Sequence, residues 1–327
     1  MSGYGGRPVL IVGGFGFIGV NLMRELLRLE ARVTVVTPAL DRHRAAAADV
    51  AKLGVRVLEG DLRDAAAMRS AVTDQDIVFN LAGQSGAVRS MEDPWTDLDV
   101  NCRGNLVLLE ALRHERPSAK LVFVSSRLAY GRTGEPTAAL AGVSEAHAVD
   151  PMCVHAVHKL AVEQYLRLYA RLYGLRFAAA RLTNPYGPGQ PRERTAYGVV
   201  NRLIHLAMHD ELLPVYGDGR QLRDYIYIDD AVQALLTLGA SPACDGQMYN
   251  VGSGVGTPLI EMARAIASFV GRGHIEFVPW PPLAELIETG DFVADVRKIR
   301  RDAGWEPRVS LAEGLGRTVA YYRAHAA

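Results

Sequence analysis

The sequence predicts an α/β protein built on a doubly wound parallel sheet, followed by a smaller, less regular C-terminal domain. Three observations lead there. Short apolar runs alternate with segments of helical periodicity from the start of the chain, a pattern that favours a parallel sheet covered by helices. A glycine-rich segment separates the first run from the first helix. The texture then changes at Asn184-Pro185-Tyr186-Gly187-Pro188-Gly189-Gln190-Pro191, where proline and glycine forbid regular structure.

Taken in order, residues 9–12 form a buried strand and 18–29 a helix with apolar spacing. Residues 32–36 alternate with β-branched side chains, as a second strand does. Further short apolar runs occupy 55–58, 77–81 and 121–124, with a helix over 106–113 and its flanks. Residues 154–173 read as a long amphipathic helix and 176–182 as the sixth strand. The division falls at 1–183 and 184–327. The second part holds a helix near 199–208, a strand around 224–228 and a proline-rich stretch at 279–282. Later segments such as 224–251 are expected to return to the first domain, with 248–251 joining its sheet.

Composition narrows the function classes. The 327 residues are 49% apolar and 22% charged, which suits a soluble globular chain with a sizeable core. Basic and acidic residues number 36 each, so no net field attracts nucleic acid or an anionic membrane. The apolar run at 9–12 leads straight into glycines, unlike an export signal, and no run approaches the ~20 residues that span a bilayer. Cys102, Cys153 and Cys244 lie far apart and lack metal-ligand spacing. No metal site is expected, and a reduced cytoplasm is the expected compartment.

The segment Gly13-Gly14-Phe15-Gly16-Phe17-Ile18-Gly19 sits between the first strand and the first helix. Glycines there permit a tight turn and let the backbone approach a pyrophosphate, which the helix N-terminus attracts. The first 183 residues are therefore expected to be a Rossmann-type dinucleotide domain. Gly13, Gly16, Phe17, Ile18 and Gly19 would cradle the phosphates. The second strand ends at Thr37 where an acid would bind the adenine ribose of NAD. Arg42 and Arg44 follow, and either pair with a 2′-phosphate or are solvated helix residues. NAD and NADP both remain open. Asp61 and Leu62 are expected beside the adenine, and Leu81, Ala82 and Gly83 along the cofactor.

Beyond this loop, Phe123-Val124-Ser125-Ser126-Arg127-Leu128-Ala129-Tyr130-Gly131 resembles the strand end that carries the catalytic hydroxyl of extended short-chain dehydrogenases. Asn184-Pro185-Tyr186-Gly187-Pro188, Tyr216-Gly217-Asp218-Gly219 and Arg223-Asp224-Tyr225-Ile226-Tyr227-Ile228-Asp229-Asp230 are similar to substrate-domain motifs of UDP-glucose 4-epimerases and their relatives. The likeness runs to Gly304-Trp305-Glu306-Pro307. It implies a smaller C-terminal substrate-binding domain, Ser126 as the catalytic hydroxyl, and Lys159 as the lysine of the family's Tyr-x-x-x-Lys signature. In that family the lysine binds the nicotinamide ribose and lowers the phenol's pKa. Asn184 and Arg223 are implied as substrate ligands, with Asp224 or Asp229 as alternative, structural partners of Arg223. Helices near 101–112 and 154–173 would pair across a two-fold axis in a homodimer.

The chain departs from the pattern in three places. His155 stands where the family has tyrosine. With an ordinary pKa near 6.5 a neutral imidazole is a competent base, favoured further by a neighbouring lysine. The other reading is that His155 only fills space. His158 is expected on the helix surface or in packing. Arg127-Leu128 replace the Asp-Glu pair of the related 4,6-dehydratases, which argues against dehydration. Glu288-Thr289-Gly290-Asp291 lacks the family's diphosphate-binding arginine, leaving Arg223 as the main candidate. The leading expectation is an NAD-dependent nucleotide-sugar epimerase acting at C4, with Ser126, His155 and Lys159 as the catalytic set. A net oxidoreductase on a nucleotide-linked keto-sugar, or a dinucleotide-binding protein without turnover, are the alternatives.

Overall fold

A computed structural model describes residues 3–38, 40–134, 142–190 and 198–325. Pro191, which closes the turn-rich segment, lies outside them. Seven parallel strands form the main sheet: β1 (Pro8–Val12), β2 (Arg32–Thr37), β3 (Arg56–Glu59), β4 (Ile77–Asn80), β5 (Lys120–Ser126), β6 (Arg176–Leu182) and β10 (Gln247–Val251). Their spatial order is β10-β6-β5-β4-β1-β2-β3. The order reverses between β1 and β4, and the carboxyl ends of strands at such a reversal are where doubly wound sheets bind ligands.

The apolar run of β1 follows from burial on both faces. Val9 and Ile11 point into one core layer, and Leu10 and Val12 into the other. Helices Phe17–Arg28 and Ile228–Ala240 cover the first face. Helices Ala65–Val72, Gly104–Glu115 and Val154–Tyr173 cover the second. Immediately before Gly104 the chain takes a π-helical turn, Leu98–Arg103.

The smaller part carries two short sheets. β7 (Asn184–Tyr186) and β11 (Gly256–Pro258) flank β9 (Leu222–Tyr227), in parallel and antiparallel pairing respectively. β8 (Leu212–Tyr216) pairs with β12 (His274–Val278). Of the stretch 224–251, the helix Ile228–Ala240 and β10 therefore return to the main sheet, whereas its strand belongs to the three-stranded one. The buried Asp224 carboxylate joins these parts. It accepts from Ser253 N at 2.7 Å, Gly254 N at 3.0 Å and Ala294 N at 3.1 Å.

Candidate active site

Packing and backbone conformation shape the glycine loop. A Cβ on Gly13 would lie 2.8 Å from Ala82 N, and one on Gly19 would lie 2.6 Å from Gly13 O. Gly13 also has φ +87°, which side chains rarely adopt. Gly16 differs: it is extended, with φ −78° and ψ 170°, and a Cβ there would meet only Gly13 O at 3.3 Å. That contact is tight but involves one atom, so packing within the protein constrains this position less than Gly13 or Gly19, whereas the close approach of a pyrophosphate would require glycine here. The helix Phe17–Arg28 begins without a side-chain cap and has no acid in its first turn, so its first N–H groups and positive end are left for an anion. These residues fit a dinucleotide.

The other expected cofactor residues extend from this loop. Leu81 N donates to Val12 O at 2.9 Å, which seats Ala82 against Gly13. A Cβ on Gly83 would meet Asn101 Oδ1 at 2.6 Å and Lys159 Nζ at 3.6 Å. The line Gly13–Ala82–Gly83–Lys159 thus runs continuously along the carboxyl edge of the sheet. Thr37 is buried at the end of β2. The Asp61 carboxylate pairs with Arg63 at 2.7 Å, and that guanidinium holds it below the usual range. Leu62 packs beneath the helix that starts at Gly104. Arg44 pairs with Asp41 on the surface.

Ser126 ends β5, and its Oγ accepts from Leu128 N at 3.2 Å. His155 and Lys159 lie one turn apart on one face of the helix Val154–Tyr173. Lys159 Nζ donates to Val124 O at 2.9 Å, which ties this helix to the strand end that carries Ser126. Burial pushes the Lys159 ammonium down to about 8, against the opposing charges of Asp97 and Glu163.

His155 is buried among polar and charged groups. Its backbone N donates to Ser90 Oγ at 3.0 Å, and Nδ1 lies 3.3 Å from Asn101 Nδ2 and 3.5 Å from Asp97 Oδ2. Asp97 is fully buried and its Oδ2 makes no hydrogen bond of normal length, while Oδ1 lies 2.7 Å from His158 Nδ1. Burial works to raise this carboxyl, but the neighbouring polar side chains of His155, Asn101 and His158 outweigh it and hold it below the ordinary range. Burial pushes His155 below its ordinary value, Asp97 opposes this, and the charge of Lys159 adds to the lowering. His155 is therefore neutral at pH 7. His158 is not simply a surface residue, because it anchors the second oxygen of Asp97.

Sequence reasoning missed Asp97 and Asn101. Asn101 exchanges two hydrogen bonds with Gln84, at 3.1 Å and 2.9 Å, which lock it between the cofactor edge and His155. Asn101 lies among Asp99, Arg103 and Asn105, so nothing local sets it apart. Asp97 carried no signal, since its partners are far along the chain. Two tyrosines that could have stood in for the missing phenol are engaged elsewhere. Tyr130 Oη donates to Asn250 Oδ1 at 2.7 Å, with burial raising its pKa to about 12. Tyr186 Oη donates to Leu311 O at 3.3 Å.

On the substrate side, Asn184 Nδ2 donates to Asp224 O at 2.8 Å. Arg223 pairs with neither Asp224 nor Asp229. Its partner is Glu288, in the segment where the resemblance would place an arginine, and its Nη1 also donates to Gly290 O at 2.8 Å. Arg127, beside Ser126, reaches the same segment and donates to Thr289 Oγ1 at 3.0 Å. Among the described residues no cluster of His, Cys, Asp or Glu could hold a metal ion, and no helix is long and apolar enough to cross a membrane.

Comparison with known proteins agrees with this geometry. Residues 9–252 match the profile of the NAD dependent epimerase/dehydratase family. The chain is 34% identical over 318 residues to a UDP-glucose 4-epimerase of Mycolicibacterium smegmatis, covering 96% of this chain and 98% of that one. It is also 28% identical over 333 residues to a dTDP-glucose 4,6-dehydratase of Xanthomonas campestris, covering 96% and 92%. The UDP-glucose 4-epimerase of Thermus thermophilus, solved in complex with NAD, superposes with a TM-score of 0.85 at 30% identity, covering 97% and 99%.

Proposed function

We propose that this chain, which belongs to the NAD dependent epimerase/dehydratase family, is a nucleotide-sugar 4-epimerase that uses His155 as its proton carrier. The observation that carries the reading is the buried Asp97–His155 pair, placed one helical turn from Lys159 and tied to the strand of Ser126. An imidazole that merely filled space would not need a sealed carboxylate held in place by a second histidine. Arg127 and Leu128, where the dehydratases carry acids, favour epimerisation over dehydration.

Bound NAD supplies a hydride acceptor and donor beside the sugar carbon. Ser126 Oγ orients the C4 hydroxyl. In this reading His155 carries its proton on Nδ1, drawn by the Asp97 carboxylate in place of accepting there from Asn101 Nδ2, and its Nε2 lone pair takes the hydroxyl proton. The imidazolium so formed is stabilised by the Asp97 carboxylate and returns the proton when the ketone is reduced from its other face. Two protons of the Lys159 ammonium remain for the nicotinamide ribose, and its charge holds His155 in the neutral, proton-accepting form. Gly13, Gly16 and the uncapped helix N-terminus hold the pyrophosphate, with Phe17, Ile18 and Gly19 opening that helix.

A homodimer is part of this reading. Val157, Leu168 and Leu172 are exposed apolar side chains on the helix Val154–Tyr173, and exposed Trp95 and Leu98 lie just ahead of the stretch 101–112 that would pair with it. The three cysteines are free and buried, which supports a reducing cytoplasm. The test is to incubate the purified, NAD-loaded protein with UDP- and dTDP-hexoses and follow the anomeric protons by NMR. Interconversion of C4 epimers without accumulation of NADH is expected. Stoichiometric release of NADH would point instead to a net oxidoreductase, and failure to bind any dinucleotide would overturn the enzymatic reading.

A further inference from the structure

Among the described residues three arginine side chains are buried, and two of them have a carboxylate. Arg181 pairs with Glu163 at 2.6 Å, and Arg223 pairs with Glu288. Arg127 does not. At 8% exposure it has one hydrogen bond, to Thr289 Oγ1 at 3.0 Å, and its guanidinium carbon lies 5.3 Å from the Phe292 ring centre. No carboxylate lies within ion-pair distance of it among the described residues. Glu288, the nearest candidate, is committed to Arg223 and also accepts from Gly290 N at 2.9 Å.

A guanidinium carries five donors and does not deprotonate in proteins, so it cannot escape burial by becoming neutral. Leaving it without a counter-charge is costly. Its remaining nitrogens are not among the sealed, unsatisfied atoms of the described residues, so they keep some contact with solvent. The strain on the charge is visible in its pKa, which burial pulls down to about 10, with Arg223 adding to the effect and Glu288 opposing it. Position, burial and free donors together describe a receptor for an oxyanion brought by the ligand.

We propose that Arg127 binds an oxyanion of the bound nucleotide sugar, either an oxygen of its diphosphate or a carboxylate on its hexose. The inference rests on the nucleotide-sugar reading above. It explains the replacement at Glu288: with Arg223 neutralised by that residue, the cation of the cleft has moved to the end of β5. A planar guanidinium there suits two parallel hydrogen bonds to one oxyanion.

The experiment measures binding of UDP, dTDP, UDP-glucose and UDP-glucuronate to the NAD-loaded protein by calorimetry, for the parent, Arg127→Met and Arg127→Lys. A charge-assisted contact predicts a loss of about 10- to 100-fold in Arg127→Met. Arg127→Lys, which keeps the charge without the planar fork, should fall between. Loss for all four ligands assigns the diphosphate, and loss confined to UDP-glucuronate assigns a sugar carboxylate. Equal affinities in parent and variants overturn the inference while leaving the nucleotide-sugar reading intact. A parent that binds none of the four overturns that reading and this inference with it. Thermal melting of the nucleotide-free protein gives an independent readout. Removing an unpaired buried cation should leave the melting temperature of Arg127→Met unchanged or higher, whereas a marked drop would mark Arg127 as a structural crosslink and overturn the inference.

Discussion

Replacing Asp97 with asparagine tests the catalytic dyad directly. The Asp97 carboxylate lies 3.5 Å from His155 Nδ1. At an effective dielectric of about 20, opposite charges about 4 Å apart attract by about 4 kcal/mol, or about three pKa units. Asp97 divides its charge with His158, whose Nδ1 lies 2.7 Å from the other oxygen, so a shift of about one unit is the lower expectation. The sign follows from the active form. In the proposed mechanism neutral His155 is the base, so activity is expected to fall on the acid side as it protonates. Asp97 favours the protonated imidazole, so removing its charge moves that acid limb to lower pH. Turnover should fall as well, by roughly 10² to 10⁴, because an amide no longer selects the Nδ1–H tautomer or stabilises the imidazolium. The assay is the initial rate of C4 inversion between pH 5 and 9, with bound NAD quantified in each preparation. An Asp97→Asn protein with parental turnover and an unmoved acid limb would refute the dyad.

Other perturbations read different parts of the site. His155→Gln keeps size and hydrogen bonding but cannot cycle a proton, so turnover should drop on the order of 10² or more while NAD content is retained; full turnover would assign the proton to a bound water. Because burial places Lys159 near 8, the rate should decline on the alkaline side with a midpoint near that value, and a flat profile to pH 9.5 would separate activity from its charge. Gly16→Val should abolish NAD binding while the fold persists, since its backbone is already extended and a Cβ meets only Gly13 O at 3.3 Å; unchanged NAD affinity in titrations would misplace the pyrophosphate. Leu172→Glu, on the exposed apolar stripe, should shift a dimer to monomer in sedimentation, and a parent already monomeric at micromolar concentration would remove the interface.

Much of this was legible because the information is local. The buried strand before the glycines, the amphipathic helix Val154–Tyr173 and the helix Val199–Met208 each carry their own period. That His155 stands four residues before Lys159, where the resemblance places a tyrosine, was visible for the same reason. What the sequence hid was pairing at long range. Nothing near Asp97 says that it will be sealed between two histidines of another helix, and nothing near Arg223 names Glu288 as its partner. The three-stranded sheet escaped because β7 and β11 have three residues each, too few for a period. The π-helical turn at Leu98–Arg103 adds a residue that no propensity marks, yet it lies between Asp97 and the helix Gly104–Glu115 and contains Asn101.

The most direct test of the central claim is the fate of a C4 deuterium. Nucleotide hexoses and hexuronates labelled at C4 are incubated with the NAD-loaded protein, and products are read by NMR and mass spectrometry. Inversion at C4 with the label retained on that carbon is the expected result, because the same hydride leaves and returns within one site. Product lighter by one water, label recovered in released NADH, or no inversion of any substrate would contradict a 4-epimerase.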